Sequence, residues 1–76
     1  MSAQEIFTQR LRQLIAEKKI EQKMLADKMS LTKTTVNAWF TGQAVPRFEP
    51  LIQLADLLGV SIDYLAGRTD NPKVRK

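Results

Sequence analysis

The feature that most constrains how this chain folds is the very short distance between two amphipathic segments. The stretch QKMLADKM has the apolar spacing of a helix of about two turns, and KTTVNAWFT predicts another helix directly after it. In chain order these are the second and third helices. Only Ser30, Leu31 and Thr32 separate them. Thr32 can cap the helix of KTTVNAWFT through its hydroxyl oxygen, and Gly42 can end that helix in a left-handed conformation. Because helices this short are unstable in isolation, both must pack against the rest of a domain.

Apolar spacing predicts three further helices. The apolar face of a first helix, over residues 4–18, consists of Phe7, Leu11, Leu14 and Ile15. The apolar face of a fourth helix consists of Leu51, Leu54, Ala55 and Leu58. Ser61 can cap a short fifth helix in SIDYLAG. No strand-like alternation occurs, so we predict an all-α, compact five-helix domain over residues 1–67, followed by a basic, flexible tail over residues 68–76.

Composition places the chain among small globular proteins. Its 76 residues are 43% hydrophobic and 26% charged, which suits one small core. Cysteine is absent, which excludes disulfides and thiolate metal sites, and no apolar run approaches the roughly 20 residues of a membrane span. The start MSAQEIFTQR lacks the order of a signal peptide, so we expect a cytoplasmic protein. The net charge of +4 shifts the expectation only slightly toward an anionic partner.

The third helix has two chemically different faces. At about 100° per residue, one arc of roughly 140° contains polar or small side chains only. These are Lys33, Thr34, Asn37, Ala38 and Thr41. Val36, Trp39 and Phe40 lie on the remaining side, which a core can hold. In a DNA major groove, Asn can bond an adenine edge, Lys can donate to guanine or phosphate, and Thr or Ala methyl groups can touch thymine. The alternative is an ordinary amphipathic helix whose outer face is only solvated.

The segment QKMLADKMSLTKTTVNAWFTGQAVP resembles the helix-turn-helix of the lambda-repressor-like, Cro/CI or Xre, transcriptional regulators, and QLADLLGVSIDYL resembles their following helices. The similarity covers roughly residues 5–67. It implies a lambda-repressor-like DNA-binding domain of a bacterial or phage regulator, with the helix-turn-helix at about residues 22–41. The implied function is sequence-specific binding of double-stranded DNA by a repressor, which occupies a palindromic operator as a homodimer.

The resemblance also implies roles for individual residues. Two residues at the start of the second helix would contact phosphates, namely Gln22 and Lys23. The residues that would lie in the major groove are Lys33, Thr34, Asn37 and Ala38. Those that would make flanking contacts to phosphate or base are Thr32, Thr41 and Gln43. Arg47 would reach the narrow minor groove between half-sites, unless it is a surface or helix-capping arginine. For Lys33 and Asn37 the alternative is a side chain that only water contacts.

Two departures from the family pattern are coupled. Many relatives pair an arginine at the position of Ile15 with a glutamate at the position of Phe40, and here both residues are apolar. Replacing a buried ion pair by apolar side chains is often neutral, whereas changing one partner leaves an unpaired charge. We therefore expect Ile15 and Phe40 to touch. Lys19 and Ser30 stand where glycine is common in relatives, so we expect these two turns to be shaped differently.

The residue inventory limits other functions. Histidine and cysteine are absent and the eight carboxylates are scattered, so we expect no enzyme, no metal site and no cofactor. No site for a small-molecule ligand is evident. A function of a different class is that of a protein-interaction module with the same fold, such as an antitoxin or the partner of an anti-repressor. Exposed Trp39 and Phe40 side chains would favour that function, and buried ones would be framework.

The surface through which two copies would pair is expected on the fourth and fifth helices. Leu57, Ile62 and Tyr64 are the candidates, and the alternative is that they belong to the core of one copy. The operator sequence, the regulated genes, the direction of regulation and any inducer cannot be inferred from one chain. Residues 68–76 are compatible with a true terminus and with the start of a linker to another domain.

Overall fold

The computed structural model describes residues 2–73, which form five α-helices. In chain order these are α1 (Ala3–Lys18), α2 (Gln22–Met29), α3 (Lys33–Thr41), α4 (Phe48–Leu58) and α5 (Ile62–Leu65). No strand occurs within the described range, and no helix in it is both long and apolar enough to cross a membrane. The all-α, five-helix fold is therefore confirmed, together with the three-residue connection between α2 and α3.

Side-chain caps set the start of three helices. Ser2 and Glu5 form a capping box at α1, in which each side chain bonds the backbone of the other residue. Hydrogen bonding from Ser2, first from its backbone N–H and then from its side chain, lowers the pKa of the Glu5 carboxyl. At α3 the Thr32 hydroxyl accepts from the Thr35 N–H at 3.2 Å, and at α5 the Ser61 hydroxyl accepts from the Tyr64 N–H at 3.0 Å. Both predicted caps, Thr32 and Ser61, are confirmed.

Two helices end at residues other than glycine in the left-handed conformation. Lys19 follows α1 with φ 54° and Ser30 follows α2 with φ 56°. The expectation that these turns would be shaped differently is wrong, because each residue adopts the conformation that glycine usually supplies. The next residue closes each turn, with the Ile20 N–H on the Ile15 carbonyl at 3.1 Å and the Leu31 N–H on the Ala26 carbonyl at 2.9 Å. These closing bonds and the packing of the flanking helices offset the backbone cost.

A single hydrophobic core joins all five helices. Its largest fully buried side chains are Leu11, Val36, Leu25, Leu54, Leu58 and Leu65. α3 packs against both α1 and α2, and Ala26 of α2 is buried, where its small side chain permits a close approach of the helices. Trp39 and Phe40 belong to this core and are only 3% and 6% exposed. They are therefore framework rather than a surface for a protein partner.

Ile15 and Phe40 lie in the same core cluster, on two helices that pack against each other. Both side chains are buried. The direct contact between the two side chains stays a prediction.

The segment after α5 folds back onto the domain. The Ser61 N–H donates to the Pro72 carbonyl at 2.9 Å. Arg10 of α1 donates to the carbonyl oxygens of Tyr64 and Thr69 and forms an ion pair with Asp70 at 2.9 Å. The flexible tail predicted over residues 68–76 stays a prediction, and its residues 74–76 lie outside the described part of the chain.

Candidate nucleic-acid interface

The orientation of α3 is fixed by its buried side. Val36, Trp39 and Phe40 are all held in the core. The opposite side of the helix carries the residues predicted to enter a DNA groove. Lys33, Thr34, Asn37 and Thr41 are exposed and Ala38 is half-buried. Because helical geometry puts these five within about 140° of arc, they form one polar, unbulky surface that we call the α3 face.

Asn37 and Lys33 of the α3 face have no internal partner in the part of the chain that the structure describes. Within residues 2–73 neither side chain makes a hydrogen bond or an ion pair. The Asn37 amide therefore keeps a donor and an acceptor that can bond the edge of one base, and Lys33 keeps its charge for guanine or phosphate. Leaving these groups in water costs the free protein nothing, and contact with DNA would replace that water.

The side chains of two residues predicted to make flanking contacts already form hydrogen bonds within α3 or at its start. The Thr32 hydroxyl caps the helix and shares a 2.9 Å hydrogen bond with the Thr35 hydroxyl. The Thr41 hydroxyl donates to the Ala38 carbonyl at 3.3 Å. Thr41 would have to give up that bond to donate to a phosphate, whereas the exposed Gln43 side chain makes no internal bond among the described residues.

The start of α2 can receive an anion. Gln22 is half-buried and Lys23 is exposed, and the residue at the cap position, Glu21, makes no side-chain bond to the helix. The first N–H groups of α2 therefore point outward without a side-chain partner, where the helix dipole favours negative charge. This geometry is compatible with the phosphate contacts predicted for Gln22 and Lys23.

Arg47 occupies the cap position of α4 but does not cap it. Its backbone is extended, its side chain makes no bond to the first turn, and it is exposed beside the buried Pro46. Of the two alternatives considered for Arg47, capping through the side chain is therefore not observed. Its guanidinium is available to solvent or to a ligand.

The residues predicted for pairing lie in different surroundings. Leu57 is 41% exposed, while Ile62 and Tyr64 are half-buried against the core. The Tyr64 ring is covered by Arg10, whose guanidinium carbon lies 4.2 Å from the ring centroid. Ile62 lines a shallow cavity together with Ile52 of α4.

The most exposed large apolar side chain was not identified from the sequence. Phe48, the first residue of α4, is 72% exposed. Its position next to an amphipathic segment gives no sign of exposure, although it lies one turn before Ile52 on the same side of α4. Among residues 2–73 no three His, Cys, Asp or Glu side chains are grouped as metal ligands would be.

A short helix that crosses a second one after a three-residue turn, and leaves the polar face of the second exposed, is a helix-turn-helix unit. The helix-turn-helix family model HTH_3 matches residues 11–65, which include the second half of α1 and all of α2 to α5. The chain belongs to this helix-turn-helix family, of the Cro/CI or Xre type.

Individual relatives carry the same motif. The chain is 33% identical over 69 residues to YqaE, an uncharacterized HTH-type transcriptional regulator of Bacillus subtilis, with 91% of this chain and 60% of YqaE covered. It is 36% identical over 47 residues to the cryptic phage CTXphi transcriptional repressor RstR of Vibrio cholerae, with 62% and 42% covered. It is 30% identical over 59 residues to the HTH-type transcriptional activator BcrR of Enterococcus faecalis, with 78% and 29% covered.

The chain thus spans no more than 60% of the length of these relatives. No solved structure is significantly similar to it.

Proposed function

We propose that this chain binds double-stranded DNA in a sequence-specific manner and regulates transcription. The observation that carries the proposal is the α3 face, an exposed and unbulky polar surface on a helix whose other side is locked into the core. Membership of the helix-turn-helix family supports the same function. A buried anchor matters because base readout needs side chains held at a fixed depth and angle in the groove.

Six of the predicted residues have a defined role in this proposal. Asn37 reads an adenine edge, Lys33 donates to guanine or phosphate, and Thr34 and Ala38 contact the groove wall or a thymine methyl. Gln22 and Lys23 bind a phosphate at the start of α2. These phosphate contacts set the register of α3 on the duplex, and the base contacts supply the sequence preference.

Repression is the proposed direction of regulation. A protein that occupies an operator can block polymerase by its presence, which requires no further binding surface on this small domain. RstR is named a repressor, which supports this direction, whereas BcrR is named an activator. A reporter gene placed behind the selected operator separates the two directions, since the chain lowers expression if it represses.

One short recognition helix gives useful sequence specificity only when two copies of the chain bind the DNA together. A single α3 face covers few base pairs, so the proposed complex is a homodimer on a palindrome with half-sites about 34 Å apart. The pairing surface in this proposal is formed by Phe48, Ile52 and Ile62. Phe48 supports it by its exposure, and Ile52 and Ile62 by lining one cavity between α4 and α5.

The other residues predicted for pairing are less suited to that surface. Leu57 lies about 140° from Ile52 around the axis of α4, so the two side chains point to different sides of the helix. The Tyr64 ring is already covered by Arg10. Of the three residues first considered, Ile62 is therefore the one retained.

The alternative function, a protein-interaction module, loses its main candidates because Trp39 and Phe40 are buried. Selection of bound sequences from a random duplex pool decides between the two functions. The proposal expects a recovered palindrome, which gives sequence preference, dimeric use and half-site spacing together. No enrichment over several rounds, with a folded protein, would contradict it.

A further inference from the structure

A groove runs between the outer face of α1 and the C-terminal end of α3. Gln9 and Arg12 of α1 line it on one side, and Thr41 and Gly42 line it on the other. Two hydrogen bonds fix the two helices at this place. The Gln4 amide donates to the Gly42 carbonyl at 2.7 Å, and the Thr8 hydroxyl donates to the Trp39 carbonyl at 3.4 Å. Arg12 is therefore held on a rigid element at the edge of the α3 face.

Among the described residues Arg12 has no internal partner, in contrast to nearby Arg10. Arg10 is engaged by two carbonyl groups, by Asp70 and by the Tyr64 ring. Within residues 2–73 Arg12 makes neither a hydrogen bond nor an ion pair, and its side chain is exposed. Its five guanidinium donors are thus available to an external acceptor.

Three carbonyl groups near the end of α3 accept from donors other than Arg12. The Ala38 carbonyl accepts from the N–H groups of Gln43 and Ala44 and from the Thr41 hydroxyl. The Trp39 and Gly42 carbonyls accept from α1 as described above. None of these three carbonyls accepts a hydrogen bond from Arg12, so Arg12 does not cap α3 through them.

We infer that Arg12 binds a backbone phosphate of the DNA, at the wall of the major groove next to the C-terminal end of α3. This inference rests on the proposed function and extends the interface from α2 and α3 to α1. Its ligand is a phosphodiester, which a guanidinium binds through paired N–H donors. Exposed Gln9, one turn before Arg12 on α1, can donate to the same phosphate.

The charge pattern of the groove restricts where the phosphate sits. Glu5 also lines the groove, and hydrogen bonding from Ser2 lowers the pKa of its carboxyl. Glu5 and Arg12 are seven residues apart, about 10 Å along α1. The acidic end repels a phosphate and the basic end attracts it, so the contact belongs to the Arg12 end of the groove.

The test compares Arg12→Gln with Arg68→Gln on the duplex selected from the random pool. Arg68 is an exposed arginine beyond α5, so its replacement removes the same charge at a place the inference does not use. Binding is measured from 50 to 200 mM salt. Arg12→Gln is expected to make the slope of log Kobs against log salt about 0.9 less steep for each bound protomer, and Arg68→Gln is expected to leave it unchanged.

Ethylation of single phosphates in the same duplex locates the contact. With the wild-type chain, ethylation of one phosphate beside each half-site is expected to interfere with binding, and this interference is expected to vanish in Arg12→Gln while the others remain. Thermal unfolding of Arg12→Gln should match that of the wild type, because an exposed side chain without partners adds little stability.

Three results would overturn the inference. An unchanged salt slope for Arg12→Gln, an equal change for Arg68→Gln, or an unchanged ethylation pattern would each exclude a local phosphate contact while specific binding stands. If the wild-type chain itself prefers no duplex, the proposed function fails and the inference falls with it. The wild-type measurement therefore distinguishes the two failures.

Discussion

The guanidinium of Arg10 stacks on the ring of Tyr64, with 4.2 Å from its carbon to the ring centroid, and so joins α1 to α5 across 54 residues of sequence. The same guanidinium holds Thr69 and Asp70, and its side chain is only 17% exposed. A cation over an aromatic ring, with carbonyl groups at its edge, is an arrangement that water screens poorly. Arg10 thereby fixes the segment after α5 against the first helix.

Replacing Arg10 is expected to destabilise the domain more than removing its ionic partner. Arg10→Gln should lower the free energy of unfolding by about 1–3 kcal/mol, because charge-assisted bonds to the two carbonyls and the ring contact are lost. Asp70→Asn should leave the urea midpoint nearly unchanged, because the Asp70 side chain is fully exposed. Equal losses in the two variants would mean that the ion pair, rather than the carbonyl and ring contacts, holds the segment.

Charge on the buried side of α3 is expected to be costly. Phe40→Glu puts an unpaired carboxylate into the core and should lower the free energy of unfolding by about 3–5 kcal/mol. The double variant Ile15→Arg, Phe40→Glu should recover part of this loss if the two positions touch. Thr34→Glu, on the exposed side of the same helix, is the matched control and should change stability by less than about 0.5 kcal/mol. If Phe40→Glu unfolded at the same temperature as the wild type, the burial of Phe40 in the core would be refuted.

The left-handed turn after α2 is expected to gain from glycine. A left-handed residue other than glycine costs roughly 1–2 kcal/mol, whereas the greater freedom of glycine in the unfolded chain costs about 0.4–1 kcal/mol. Ser30→Gly should therefore raise Tm slightly. Gly59→Ala is the reverse experiment, because the added Cβ would meet nothing within 4 Å and only the φ of 68° opposes it. Its Tm should fall, and a lower Tm for Ser30→Gly would contradict the account.

Pairing through one side of α4 predicts different results for its two exposed apolar residues. Phe48→Lys should shift sedimentation toward the monomer and weaken binding to the palindrome, because an ammonium would be buried between the copies. Leu57→Lys should leave both unchanged, because Leu57 lies on another side of α4. If Leu57→Lys produced a monomer and Phe48→Lys did not, the pairing surface would lie on the side of α4 that carries Leu57.

Local signals explain which parts of the fold could be predicted from the sequence. Thr32, Ser61 and Gly42 act on the helix next to them, so their roles follow from residue type and position. The buried side of α3 follows from apolar periodicity alone. These features sufficed for the five helices and for the α3 face, whose contacts to DNA remain predictions.

The features that escaped prediction depend on distant parts of the chain. Gln4 meets Gly42 across 38 residues and Arg10 meets Thr69 across 59, and no periodicity encodes such pairs. Ser30 adopts a left-handed conformation against its local preference, so residue type alone did not predict the shape of this turn. Phe48 is exposed although phenylalanine is typical of core positions, and the sequence pattern does not distinguish an exposed phenylalanine from a buried one.

Asn37 provides the most direct test of the central claim that the α3 face reads base sequence. Affinity is measured for the wild type and for Asn37→Ala on the selected palindrome and on a scrambled duplex of equal length and salt. Asn37→Ala is expected to lose about 1–3 kcal/mol on the palindrome and almost nothing on the scrambled duplex, because only a base contact depends on sequence. Equal wild-type affinity for the two duplexes, or an Asn37→Ala variant that still prefers the palindrome by the wild-type factor, would contradict the claim.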